Sequence, residues 1–383
     1  MGSAAPSGRT SLFYFDCSTK ATRTTATALG HLAESTHFQG DSRLNPKLLA
    51  FGLLLTLTTT VSRSQEVSPT PMVTAPPAAV QPEDVVPRFS QNEDWSALPL
   101  AKSGLNTDTY VAVVLSKTEQ PEYTRELLRV QWRAADPIDL YVVLPHGATK
   151  PPAILYLYDF RFDTDRFRDD GWCKRAVQGG FAAVGFGSAL SRQRFHSRPM
   201  KEWFVSELQE ALGESTHDVQ MVLNYVASRG DIDMNRIGMF AQGSGGAIAL
   251  LAAAVDPRIR VLDVLNPWGD WPDWLKESPQ IPVDERSTYL EPQFLSKVAA
   301  LDPVSYLPQL HVKALRVEQI MDEPITPQSA KDKLSAAVTS PDSAVRYKDA
   351  SAHLAVWRVN GISGWIREQL ASPVAQASKD LTR

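Results

Sequence analysis

An α/β architecture, with a mostly parallel central sheet and helices on both faces, is the fold class the sequence predicts, and three observations predict it. Continuous apolar runs recur at PAILYLYD (152–159), FAAVGFG (181–187) and RIRVLDVL (258–265), the pattern of strands buried on both faces. Stretches of helical spacing stand between them, as in 201–228, where Trp203, Phe204, Leu208 and Leu212 precede Val219, Val222, Leu223 and Val226. From residue 139 onward the elements read β, β, α, β, α, β, α, β, a long insertion, then β, α, β, α. Alternation of this kind predicts parallel strands joined by covering helices.

The earlier strands complete the pattern. TYVAVVLS (109–116), LLRVQW (127–132) and DLYVVLP (139–145) are short and β-branched, and the first two read as an antiparallel ribbon at a sheet edge. DRFRDDGWCKRAVQ (165–178) reads as a helix, and Gly213 is expected to break or bend the helix it lies in. ALRVEQI (314–320) and SAVRYKDA (343–350) give the last two strands. PQSAKDKLSAAV (327–338) and GISGWIREQL (361–370) give the late helices. No internal repeat is visible.

Composition narrows the function classes. Of 383 residues, 43% are hydrophobic and 21% charged, and the net charge of −4 includes no basic block. A nucleic-acid partner is therefore not expected, and an enzyme or small-ligand binder fits better than a scaffold. Residues 1–64 form an N-terminal extension with an apolar core at about 48–61, introduced by Lys47 and followed by small residues at Ser62 and Ser64. This reads as a secretory signal cut near Gln65, although more than forty residues precede it. An uncleaved anchor or a short buried helix is the alternative. The run is too short for a stable membrane span in the mature form, and a secreted or periplasmic location follows. Residues 1–64 carry six Lys/Arg and three Asp/Glu against totals of 39 and 43, so their removal takes the net charge to −7. It also removes Cys17, leaving Cys173 alone, with packing its expected role. Pro69, Pro71, Pro76, Pro77, Pro82, Pro87 and Pro99 mark 65–107 as a linker. The folded domain is expected over 108–372, with a lid at 266–312 and a tail at 373–383.

The turn in RIGMFAQGSGGAIALLAAAV (236–255) organises the chemistry. A strand, a glycine-rich turn and an alanine-rich helix would lift one side chain above the sheet and aim a helix N-terminus at it. With the Asp of QIMDEPITP and the His of DASAHLAV, each after a late strand, this stretch resembles the α/β-hydrolase superfamily across roughly 108–370. The resemblance is closest to its acyl-esterase and prolyl-peptidase-like members. It implies a serine hydrolase of ester or peptide bonds, with a small-molecule ester or peptide as ligand. Ser244 would attack, His353 would shuttle the proton from a strand-to-helix loop, and Asp322 would orient it, with Glu323 the runner-up acid. Gly243, Gly245 and Tyr158 would form the elbow and oxyanion site.

Two departures set this chain apart. Counting from Arg236 places Gly243, not a serine, in the nucleophile slot, with Ala241 two before it and Gly245 two after. Ser244 comes one residue late. After the strand ending near Tyr158 stands Asp159, where a carboxylate would oppose the charge of acyl transfer. Three functions remain open at this point: an active hydrolase, a degenerate one that binds a ligand without turnover, and a purely structural domain. Trp268, Trp271 and Trp274, three apart in NPWGDWPDWLKESP, suit packing better than a ligand cage, but a lid would make them pocket walls. No cofactor is expected. QGSGG lacks the Walker ending, and Asp163, Asp165, Asp169 and Asp170 lack calcium-loop spacing.

Overall fold

The apolar runs form strands and alternate their side chains between two cores. A computed structural model describes residues 92–108, 111–160, 164–191, 194, 207–340, 343–361 and 363–371. The export signal, Asp163 and the tail fall outside them. Nine strands make one sheet: β1 (Val111–Glu119), β2 (Tyr123–Gln131), β3 (Ile138–Pro145), β4 (Ala153–Leu157), β5 (Ala182–Phe186), β6 (Ile237–Gln242), β7 (Ile259–Leu265), β8 (Ala314–Ile320) and β9 (Ala344–Tyr347). Their order across the sheet is β1-β2-β3-β5-β4-β6-β7-β8-β9. β1, β2 and β3 form an antiparallel meander, β3 joins β5 antiparallel, and every later pairing is parallel. The ribbon expected at one edge is there.

Strand alternation assigns the helices to faces. Leu155 and Leu157 of β4, Met239 and Ala241 of β6, Leu262 and Val264 of β7 and Val317 of β8 share a core with α2 (Leu208–Arg229) and α3 (Ser244–Val255). Their neighbours Ile154, Tyr156, Phe240 and Val261 face the other way. There they meet α1 (Asp170–Ala176) and the last helix, Gly364–Ala371, through Trp172, Cys173, Ile366 and Leu370. Cys173 is buried there, with its thiol donating to the Phe167 carbonyl at 3.3 Å. Among the described residues no helix is long and apolar enough to cross a membrane.

The expected linker gives way to packed chain well before residue 107. Leu98, Leu100 and Leu105 are buried in the first core, and Gln220 on α2 takes the Leu100 amide and donates to the Leu98 carbonyl, both at 2.9 Å. Pro99 lies inside this packed stretch and precedes a short 3-10 turn, Leu100–Lys102. Charge reinforces the attachment. Glu93 meets Arg133 at 2.5 Å and His217 at 2.5 Å, and Arg133 and Arg194 both bind the fully buried Asp218. Arg194 also holds Glu214 at 2.8 Å.

Gly213 does not break its helix, because α2 runs through it. Its role is clearance. A Cβ at this position would lie 2.7 Å from the Trp95 Cα and 2.8 Å from its carbonyl carbon. At an exposed helix site Gly→Ala adds about 1 kcal/mol of stability. Here Gly213→Ala is expected to reverse that sign and destabilise by about 2 kcal/mol, because the 92–105 segment must lift. Scanning calorimetry should record a fall of roughly 5 °C.

Candidate functional site

A tight turn at Gly243 joins β6 to α3. Gly243 occupies its apex at φ 57° and ψ −121°, a conformation that side chains resist. Gly245 is obligatory for a different reason. A Cβ there would stand 2.7 Å from the Tyr158 carbonyl oxygen and 2.8 Å from the Leu157 carbonyl carbon. The end of β4 therefore presses directly on the start of α3.

Asp159 fills the space above the apex. A Cβ built on Gly243 would lie 3.0 Å from the Asp159 Cγ and 3.2 Å from its Cβ, with Oδ2 closer still. Asp159 is only 3% exposed. Ser244 is fully buried in the first turn of α3, and its Oγ accepts the Phe160 amide at 3.0 Å. The Ser244 hydroxyl is thus engaged with the chain just after β4.

His353 lies elsewhere. The residues after β9 do not form a loop but a helix, Ala350–Asn360, whose start is capped by Asp349 through the Ala352 amide at 2.9 Å. The imidazole Nε2 stands 3.6 Å from Glu318 on β8, and its ring meets Tyr347 edge-on at 5.0 Å. Glu318 alternates with Val317, so it points to the face opposite α3. Burial pulls the His353 pKa down, partly offset by nearby Asp263. Glu318 and Arg316 at 2.9 Å, and Arg316 and Asp263 at 2.6 Å, complete a buried charge row on this face. Burial first, and Glu318 second, raise the Asp263 pKa to about 7.

Asp322 follows β8, as expected, but its side chain is exposed. Its neighbour Glu323 is the acid turned inward. Both Glu323 oxygens accept backbone amides, from Ile325 at 2.9 Å and Thr326 at 3.2 Å. Burial pushes the Glu323 pKa up, and the charge of Asp159 adds to the rise. Below it the buried Lys331 ammonium donates to the carbonyls of Ile320 at 2.9 Å and Glu323 at 2.5 Å. Ser244, His353 and Asp322 are therefore not brought together by any described hydrogen bond or ion pair.

Tyr158 does not offer its hydroxyl to the turn either. Alternation along β4 sends its ring to the second core, against Phe240 at 6.1 Å and beneath the Arg166 guanidinium at 4.6 Å. The three tryptophans pack against one another. Trp268 meets Phe160 at 5.8 Å and Trp274 at 4.7 Å, while the Trp271 indole donates to the Leu301 carbonyl at 2.9 Å. All three are buried, so they fill space instead of lining it. An open cleft of ≈ 610 Å³, lined partly by Thr124, His146, Lys150 and Asp231, lies at the opposite end of the strands. Asp159 and Phe160 are the site residues that sequence reasoning did not name for these roles. The signal for Asp159 was present as an acid where the fold usually supplies an oxyanion donor.

The architecture resembles two solved structures across most of their length. Acetyl xylan esterase from Paenibacillus sp. R4 superimposes with a TM-score of 0.54 at 15% identity, over 72% of this chain and 92% of the esterase. Acetyl xylan esterase 1 from Thermoanaerobacterium sp. JW/SL YS485 gives 0.51 at 15%, over 69% and 88%. No family model and no curated protein sequence matches the chain. With its mixed nine-stranded sheet and its strand–turn–helix at Gly243, the chain has the α/β-hydrolase fold.

Proposed function

We propose that this chain is an exported, esterase-like member of the hydrolase fold that binds a ligand or partner without serine-dependent turnover. The observation that carries the reading is the occupied apex. Gly243 stands where a nucleophile would, the Asp159 carboxylate takes the space of its side chain, and Ser244 is held by the Phe160 amide. An acyl-transfer site needs donors aimed at developing negative charge, and a buried carboxylate at that point works against it. The pairing of His353 with Glu318 on the other face supports the same conclusion, since a base must reach the proton it takes. Export rests on the sequence around 47–65 alone.

The test uses the full chain with a fluorophosphonate serine probe and with activated short-chain esters. No serine should be labelled, and ester cleavage should match that of Ser244→Ala. Labelling of Ser244, abolished by prior heat unfolding, would restore the serine-hydrolase reading.

A further inference from the structure

We propose that the segment 92–105 is a strap latched to α2 by a proton held between Glu93 and His217, and that loss of this proton at alkaline pH releases the strap. α2 carries the strap on a single face, because Gly213, His217 and Gln220 follow one another at helical spacing. Gly213 lets the Trp95 backbone come close, and Gln220 holds Leu98 and Leu100. His217 grips the stretch between them. Its Nδ1 stands 2.5 Å from the Glu93 carboxylate and its Nε2 2.7 Å from the Ala97 carbonyl. The strap also closes on itself, the Asp94 amide donating to the Ser103 carbonyl at 2.7 Å.

A carbonyl oxygen only accepts, so Nε2 carries hydrogen. The contact of Nδ1 with a carboxylate needs a further proton, whichever atom owns it. Burial works to raise the Glu93 pKa, but hydrogen bonds from Arg133 and His217 outweigh it and bring it below the ordinary value. The proton therefore sits on the ring, whose side chain is fully enclosed. The surrounding charges agree. Arg133 from the turn after β2 and Arg194 stand among Glu93, Asp136 and Asp218, while burial raises the pKa of Glu214 on α2 to about 8 and keeps it neutral below that. With the ring positive, cations and anions balance, as a buried cluster requires. Asp94, the other charge that reaches the ring, is exposed. Released into water, neither Glu93 nor His217 has the other to share a proton with. The latched form is thus favoured by protons and gives way as pH rises.

Hydrogen exchange of the full chain at pH 6 and pH 9, corrected for intrinsic rates, tests the latch. Between the two, amides of 94–105 should lose about tenfold more protection than those of β4. In Glu93→Gln the new amide donates to a neutral Nδ1 and its carbonyl still accepts from Arg133, so the strap no longer needs the proton and the difference should vanish. Glu214→Gln should keep the difference, because the proton at issue is not held there. The proposal is overturned if the parent strap tracks β4 at both pH values, or if Glu93→Gln shows the parental loss. It is overturned equally if Glu214→Gln abolishes the loss. Should Glu93→Gln not fold, nitrogen-15 NMR of the parent decides. At pH 7 both His217 ring nitrogens should resonate as protonated, and one bare nitrogen would overturn the proposal.

Discussion

Gly243→Ser is expected to lose stability and to gain no activity, although it places the missing hydroxyl at the apex. The new Cβ must adopt φ 57° and ψ −121°, which costs about 1–3 kcal/mol. It must also displace the Asp159 carboxylate, an overpacking cost of about 1–3 kcal/mol. A total near 3 kcal/mol corresponds to a fall in melting temperature of roughly 10 °C for a domain of this size. Adding Asp159→Gly should remove the steric part and leave the backbone part, so a double-mutant cycle should give a coupling of about 1–2 kcal/mol. Neither variant should cleave activated esters above background, because His353 remains with Glu318 on the far face. Ester hydrolysis by the single variant at parental stability would mean that Asp159 steps aside freely and that His353 reaches over the sheet edge.

Stability should peak near pH 5 and decline toward pH 8. Glu214 and Asp263 carry folded pKa values near 8 and 7, raised first by burial and then, against their arginine partners, by neighbouring carboxylates. A carboxyl whose folded pKa exceeds its unfolded value binds more protons in the folded state. Stability therefore falls as pH rises from about 4.5 through the folded pKa, by up to about 1.4 kcal/mol per pH unit for each group. Glu323 and Asp270 are raised as well and act in the same direction. His353 is lowered, so its contribution rises with pH below about 6.5 and partly opposes the decline. Glu93 and Asp218 are lowered, and their contribution disappears as pH drops below about 4, which sets the acid limit. Melting curves from pH 4 to 9 should show this profile. Glu214→Gln should flatten the alkaline side by keeping the site neutral, and an unaltered profile would show that Glu214 is ionised throughout.

The sheet was legible in the sequence because its signals are local. Apolar runs such as 152–159 and 258–265 form strands with few exposed residues, which their sequence pattern alone announces. Clearance was not legible. Gly213 resembles a helix breaker until Trp95 is seen beside it, 118 positions earlier in the chain. His353 misled for the opposite reason. Its place after the last strand suited a catalytic loop, but DASAHLAVWRVN also begins with an Asp cap and continues as a helix. What the imidazole faces then depends on Glu318, which a reading of local pattern cannot reach. The tryptophan triplet was ambiguous between wall and filling, and only the burial of all three decides for filling.

Lys331 bears on how this end of the molecule responds to its surroundings. The turn after β8 points the carbonyls of Ile320, Met321 and Glu323 at one spot, an arrangement that elsewhere invites a dissolved ion. Here the positive charge is covalently attached through a helix. Its local concentration is fixed by connectivity, so the shape of the turn is insulated from the salts of whatever compartment receives the protein.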